Sequence, residues 1–135
     1  MSVRAVPLRR LAVDGRDPLV VEGTDAHQPD LRQLARQRDG TGDPFRIRVE
    51  LEPHRPERLL AAREVGVVGP GGHELGLLPP SVGEELHAGL QLLASLEPPY
   101  VLSCEALAWH AHGRPDGDLR LTLYLDLDEI GRLTG

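Results

Sequence analysis

The residues able to do chemistry in this chain are few: six His, one Cys, no Lys and fifteen basic residues that are all Arg. In "CEALAWHAH", Cys104, His110 and His112 are an even number of residues apart, so an extended strand would put them on one face as three zinc donors. The reading lacks a fourth ligand at motif spacing, and "WHAHGRPDG" runs into a turn where polar side chains are simply solvated. "GPGGHELG" has the glycines of a phosphate cradle but not the GxxxxGK[ST] pattern, and a strand rather than a helix follows it, so a hairpin turn is expected. Glu84 and Glu85 suit a first helical turn, where the macrodipole favours acids. Asp126 and Asp128 fit the wet face of an edge strand, and Cys104, inside an apolar run, reads as an inert core thiol. No Ser sits in a nucleophile elbow. Neither enzymatic activity nor a metal or other cofactor is expected.

The arginines are the remaining candidates, as anion ligands. Residues 1 to 63 carry twelve Arg against ten acids, and residues 64 to 135 three Arg against eleven. The net charge of −6 argues against a generic polyanion binder, so an anion-binding surface must draw on the first half. There stand Arg32, Arg36, Arg46, Arg48, Arg55, Arg58 and Arg63. Arg32 and Arg36 on a helix, and Arg46 and Arg48 on a strand, are expected to pair with neighbouring acids.

The elements that position these groups are legible as periods. "FRIRVELE" alternates, with Phe45, Ile47, Val49 and Leu51 on one face. "LRLTLYLDLD" does the same through Leu119, Leu121, Leu123, Leu125 and Leu127, and Asp116-Gly117 before it predicts a hairpin with "YVLSCEALAWHA". "VGVVGPGGHELGLL" predicts a second hairpin, and "RRLAVDGRDPLVVEG" a third, turning near Asp14-Gly15. Two helices are expected, near 30 to 38 with Asp30 as N-cap and near 82 to 96 with Ser81 and Glu84 as a capping box. Pro79 should end the preceding strand, and Pro80 sets φ at the corner. "PHRPERLLAARE" reads equally as a short helix or a loop. The sum is one domain over residues 1–135, mainly β within the α+β class: an OB-like antiparallel barrel of about six strands with two helices. One cysteine excludes an intrachain disulfide, and no run reaches the ~18 apolar residues of a membrane span. "MSVRAVPLRRLAV" lacks the apolar run of a secretory signal. A soluble, cytoplasmic protein with no membrane partner is the expectation.

In that order of elements, "VVEGTDAHQPDLRQLA" and "GGHELGLLPPSVGEEL" resemble HIRAN-domain proteins, in particular the small stand-alone bacterial ones, over about residues 19 to 128. The first stretch is similar to that family's early strand, glycine turn and first helix, and the second to its strand, Gly-x-Leu-Pro corner and helix. The resemblance implies a modified OB-like barrel that binds single-stranded DNA or DNA ends in repair or replication, alongside a protein partner such as a helicase or nuclease. It places His27 in the early turn, and His54, Arg55, Arg58 and Arg63 around the pocket loop, as nucleic-acid ligands. The family's stacking aromatics are replaced by Thr24, Asp25 and Leu77, and its Asn-Pro…Asp element by "EPHRPERLLAAREV". The alternative is a barrel of the same kind that binds a protein through its acidic second half.

Overall fold

The computed structural model describes residues 9–38, 43–55, 63–114 and 117–134. Seven strands and three α-helices follow one another as β1 (Arg9–Ala12), β2 (Asp14–Val20), α1 (Gln28–Arg36), β3 (Phe45–Pro53), β4 (Val65–Val68), β5 (Glu74–Leu77), α2 (Pro80–Ala94), β6 (Tyr100–His110), β7 (Leu119–Leu125) and α3 (Leu127–Thr134). They form one mainly antiparallel sheet in the order β2-β7-β6-β3-β4-β5, with β1 added parallel to β6. The ladder is open. Its two edges touch once, where Glu22 and Leu77 exchange two backbone hydrogen bonds of 2.8 Å.

The alternation read in the sequence sets the core. Ile47, Val49 and Leu51 of β3 and Leu119, Leu121, Leu123 and Leu125 of β7 are buried, while Arg46, Arg48 and Arg120 are exposed. With few aromatics, the interior is built from Leu and Val, each worth about 1.5–3 kcal/mol when fully buried. Helix α2 lays Leu86, Leu90 and Leu93 against β3, β4 and β6. Helix α3 packs on α2 at Gly89, where a Cβ would collide with Thr134, so this glycine is there for close approach. Cys104 is fully buried, and burial pushes its thiol up to about 12, so it stays protonated and inert.

Several sequence expectations are corrected. The stretch 9–20 is not a hairpin: β1 pairs with β6 and β2 with β7, although Asp14-Gly15 looks like a turn. Strand β6 is long enough for β1 to cover Tyr100–Ser103 and β7 to cover Ala106–His110 on the same edge. The Glu105 N–H falls in the gap, and the Asp14 carboxylate accepts it at 2.7 Å while also taking Arg48 at 2.6 Å. Strand β7 is internal rather than an edge, and it stops at Leu125. Asp126 caps a third helix by accepting the Glu129 N–H at 3.0 Å, which puts Leu127 and Asp128 in a helical turn, not a strand. Helix α1 starts at Gln28, so Asp30 lies in its first turn instead of capping it. Helix α2 starts at Pro80, with no side-chain cap: Val82 and Gly83 donate to the Pro79 carbonyl at 3.0 and 2.9 Å, and Pro80 supplies a helix-ready φ. Ser81 is therefore inside the helix, and Glu84-Glu85 fall beyond the first turn.

The Asp14 junction carries a pH signature. Burial alone would raise the Asp14 pKa, but the Arg48 guanidinium and the Glu105 N–H outweigh it and hold the carboxyl below its ordinary value. A depressed carboxyl contributes stability that is present above about pH 3.9 and lost as pH falls through the folded-state value. Asp14→Asn is thus expected to unfold more readily than the parent at pH 7, with the gap closing below about pH 4 in urea melts at a series of pH values. A gap independent of pH would show that the charge is not what Asp14 contributes.

Candidate functional site

Three groups far apart in sequence meet where β3 ends. Val65 pairs with Pro53, and the His54 N–H donates to the Glu64 carbonyl at 2.8 Å, extending the β3–β4 ladder by a residue. The His54 ring then reaches Glu74 on β5, and the Glu74 carboxylate accepts its Nε2 proton. From the other side comes His27, the last residue of the 3-10 turn Thr24–His27 that leads into α1. Its Nε2 lies 4.0 Å from the second oxygen of the same carboxylate. All three side chains are part exposed, between 27% and 38%, so a ligand can reach them.

The support behind this cluster is buried. His87 on α2 is 2% exposed, and its Nε2 donates to the His54 carbonyl at 2.5 Å. That bond ties the helix to the strand end and fixes the ring tautomer. Gly66 on β4 leaves the room in front: a Cβ there would strike Glu74 Oε1 and come within 2.7 Å of His54 Nε2. The glycine inside the apolar run "VGVV" is the sequence trace of this close approach. Nothing local in the sequence marks Glu74 or His87, because their roles depend on β5 and α2 being packed beside β3.

The arginines sort into two groups. Arg46 pairs with Glu105 at 2.8 Å, Arg48 with Asp14, and Arg32 lies 3.8 Å from Asp118, as expected for strand and helix faces, whereas Arg36 has no ion pair among the described residues. Arg55 and Arg63 are exposed and have no ion pair among the described residues. Pro53 pairs with Val65 and His54 bonds to Glu64, so Arg55 and Arg63 are the next residues out along the two chains at the mouth of the β3–β4 pair. Two guanidinium groups this close along the chain ends favour an anion near them. The first turn of α2 is close by, since a Cβ on Gly83 would be 3.6 Å from the Arg63 carbonyl. Arg58 lies outside the described residues, as does most of the stretch read as either helix or loop.

The other chemical candidates separate. Cys104 is in the core, His110 ends β6 with Nδ1 3.3 Å from the Gly117 carbonyl, and His112 is exposed in a turn at φ 59°. His112 does not continue the face of Cys104 and His110, because the strand ends at His110. Among the described residues no group of three His, Cys, Asp or Glu is arranged to hold a metal ion. The glycine-rich stretch is a hairpin turn, with Gly71 and Gly72 at positive φ and the Gly69 N–H donating to the His73 carbonyl at 2.9 Å. No helix of the described residues is long and apolar enough to cross a membrane. No protein-family model, curated protein or solved structure matches the chain.

Proposed function

We propose that the protein is a non-catalytic nucleic-acid-binding module of the HIRAN type, taking single-stranded DNA or DNA ends at the mouth of the β3–β4 pair. The observation that carries the reading is the exposed Arg55 and Arg63, without an ion pair among the described residues, at the end of the ladder that holds the His54–Glu74–His27 cluster. Guanidinium groups in that position are free to take phosphate, whereas those of Arg46 and Arg48 are already neutralised. The single bridge from Glu22 to Leu77 supports an OB-like barrel, with the site where its two edges approach. Arg58, three residues after Arg55 and four after His54 in the sequence, belongs to the same proposed set.

Affinity is then dominated by phosphate contacts and falls steeply with salt, because the positions that would stack on bases are Thr24, Asp25 and Leu77. Arg55→Ala with Arg63→Ala is expected to remove two contacts and lower the log–log salt slope by roughly 1.4 for a single strand. The control pair, Arg32→Ala with Arg36→Ala, is expected to change it much less. Titration of labelled oligonucleotides from low salt upward measures both. Absence of binding by the parent, or equal losses from the two pairs, overturns the reading.

A further inference from the structure

Helix α2 has three sides with different fates. One is buried on the sheet through Leu86, Leu90 and Leu93, and a flank receives α3 at Gly89. At 100° per residue, Glu85, Ala88 and Leu92 project from the remaining side, and Leu96 follows just past the helix end. Leu92 is 61% exposed and Leu96 43%, two of the five large apolar side chains left in water among the described residues. Glu84, Glu85 and Glu97 border them, and residues 80 to 97 contain no Arg or Lys. The only other titratable group there, His87, points the opposite way into the core.

We infer that this outward face of α2 is a docking surface for a basic amphipathic segment of a partner protein. The charge chooses the occupant. A second copy of the chain would set Glu84 and Glu85 against their own kind, and anionic lipid or nucleic acid would meet the same repulsion. A helix with Leu, Ile or Met on one side and Lys or Arg beside it covers the leucines and neutralises the acids at once. Gly83, just before Glu84, approaches the Arg63 carbonyl, but Leu92 and Leu96 lie more than two helical turns further on, so the inference does not depend on the proposed nucleic-acid site.

The test titrates isotope-labelled protein with a synthetic Leu/Lys peptide of about 16 residues, long enough for four helical turns. A scrambled peptide of identical composition and a Leu/Glu peptide of the same pattern serve as controls. Amide shifts are expected along α2 with the patterned basic peptide alone. Leu92→Ser with Leu96→Ser is expected to weaken binding about tenfold or more without unfolding, since both side chains are already exposed. Glu84→Gln with Glu85→Gln is expected to weaken it several-fold and flatten its salt dependence. Equal binding of the scrambled peptide, binding unaffected by the leucine pair, no binding at all, or Leu92-dependent dimerisation in sedimentation each overturns the inference.

Discussion

Gln28→Leu is expected to destabilise the protein by roughly 2–5 kcal/mol and to lower its melting temperature by on the order of 10 °C. Gln28 is 9% exposed, and its side-chain amide imitates a strand: Oε1 accepts the Leu119 N–H at 2.8 Å and Nε2 donates to the Leu119 carbonyl at 2.8 Å. Strand β2 has already left β7 at this point, its last paired residue being Val20 opposite Thr122. The side chain thus finishes the ladder that the backbone abandons. Leucine has about the right volume but leaves a buried donor and a buried acceptor unpaired, at about 1–3 kcal/mol each. Gln28→Glu gives a sharper signature. It keeps the acceptor and loses both donor hydrogens, so it should be less damaging in acid, where the carboxyl regains a proton. Thermal melts of both variants across pH check this, and a Gln28→Leu melting temperature within about 1 °C of the parent would contradict it.

Gly76→Ala is the second large effect. A Cβ on Gly76 would come within 2.6 Å of the Glu22 carbonyl oxygen and 2.5 Å of Val21 Cγ1. The obstacle is partly backbone, so no rotamer change relieves it. The edge carrying Val21 and Glu22 must move away, and the paired bonds between Glu22 and Leu77 go with it. Overpacking and two lost hydrogen bonds together give about 2–4 kcal/mol. Hydrogen exchange locates the damage: the Glu22 and Leu77 amides should lose protection while those in β3 and β6 keep it. Gly131→Ala is the contrast, in the middle of α3 with nothing within 4 Å of the added methyl, where a gain of up to about 1 kcal/mol is expected. Unchanged protection at Glu22 and Leu77 in the Gly76 variant would show that the edges do not depend on this glycine.

What was legible in the sequence follows from range. The runs "FRIRVELE" and "LRLTLYL" announce buried faces because each strand records its own alternation, and the Gly69–Gly72 turn records its own hairpin. Helix α3 was hidden by the same logic, since Leu125 and Leu127 keep period two while the Asp126 side chain, accepting the Glu129 N–H, caps the helix that prevails. Pairing was the least legible. Asp14-Gly15 has turn chemistry, but what Arg9 and Pro18 pair with is decided by Tyr100 and Tyr124. The site shares this limit. His27 and His54 could be picked out as types in the loops that the resemblance implies, yet their meeting on Glu74, and the seat of His87 beneath them, exist only once β5 and α2 are in place.

The parallel docking of β1 has a consequence for synthesis. The ribosome releases Arg9 to Val20 long before Tyr100 to Leu125, which hold the strands that β1 and β2 pair with. Both strands must therefore wait, exposed, until β6 and β7 have emerged, and closing so long a loop slows the pairing. Their own residues make the wait safe. Pro18 removes a donor from β2, the bulge between Asp14 and Asp17 spoils its register, and Arg16 with two aspartates keeps it wet. A strand that native partners accept with a bulge is one that a neighbouring nascent chain cannot easily extend.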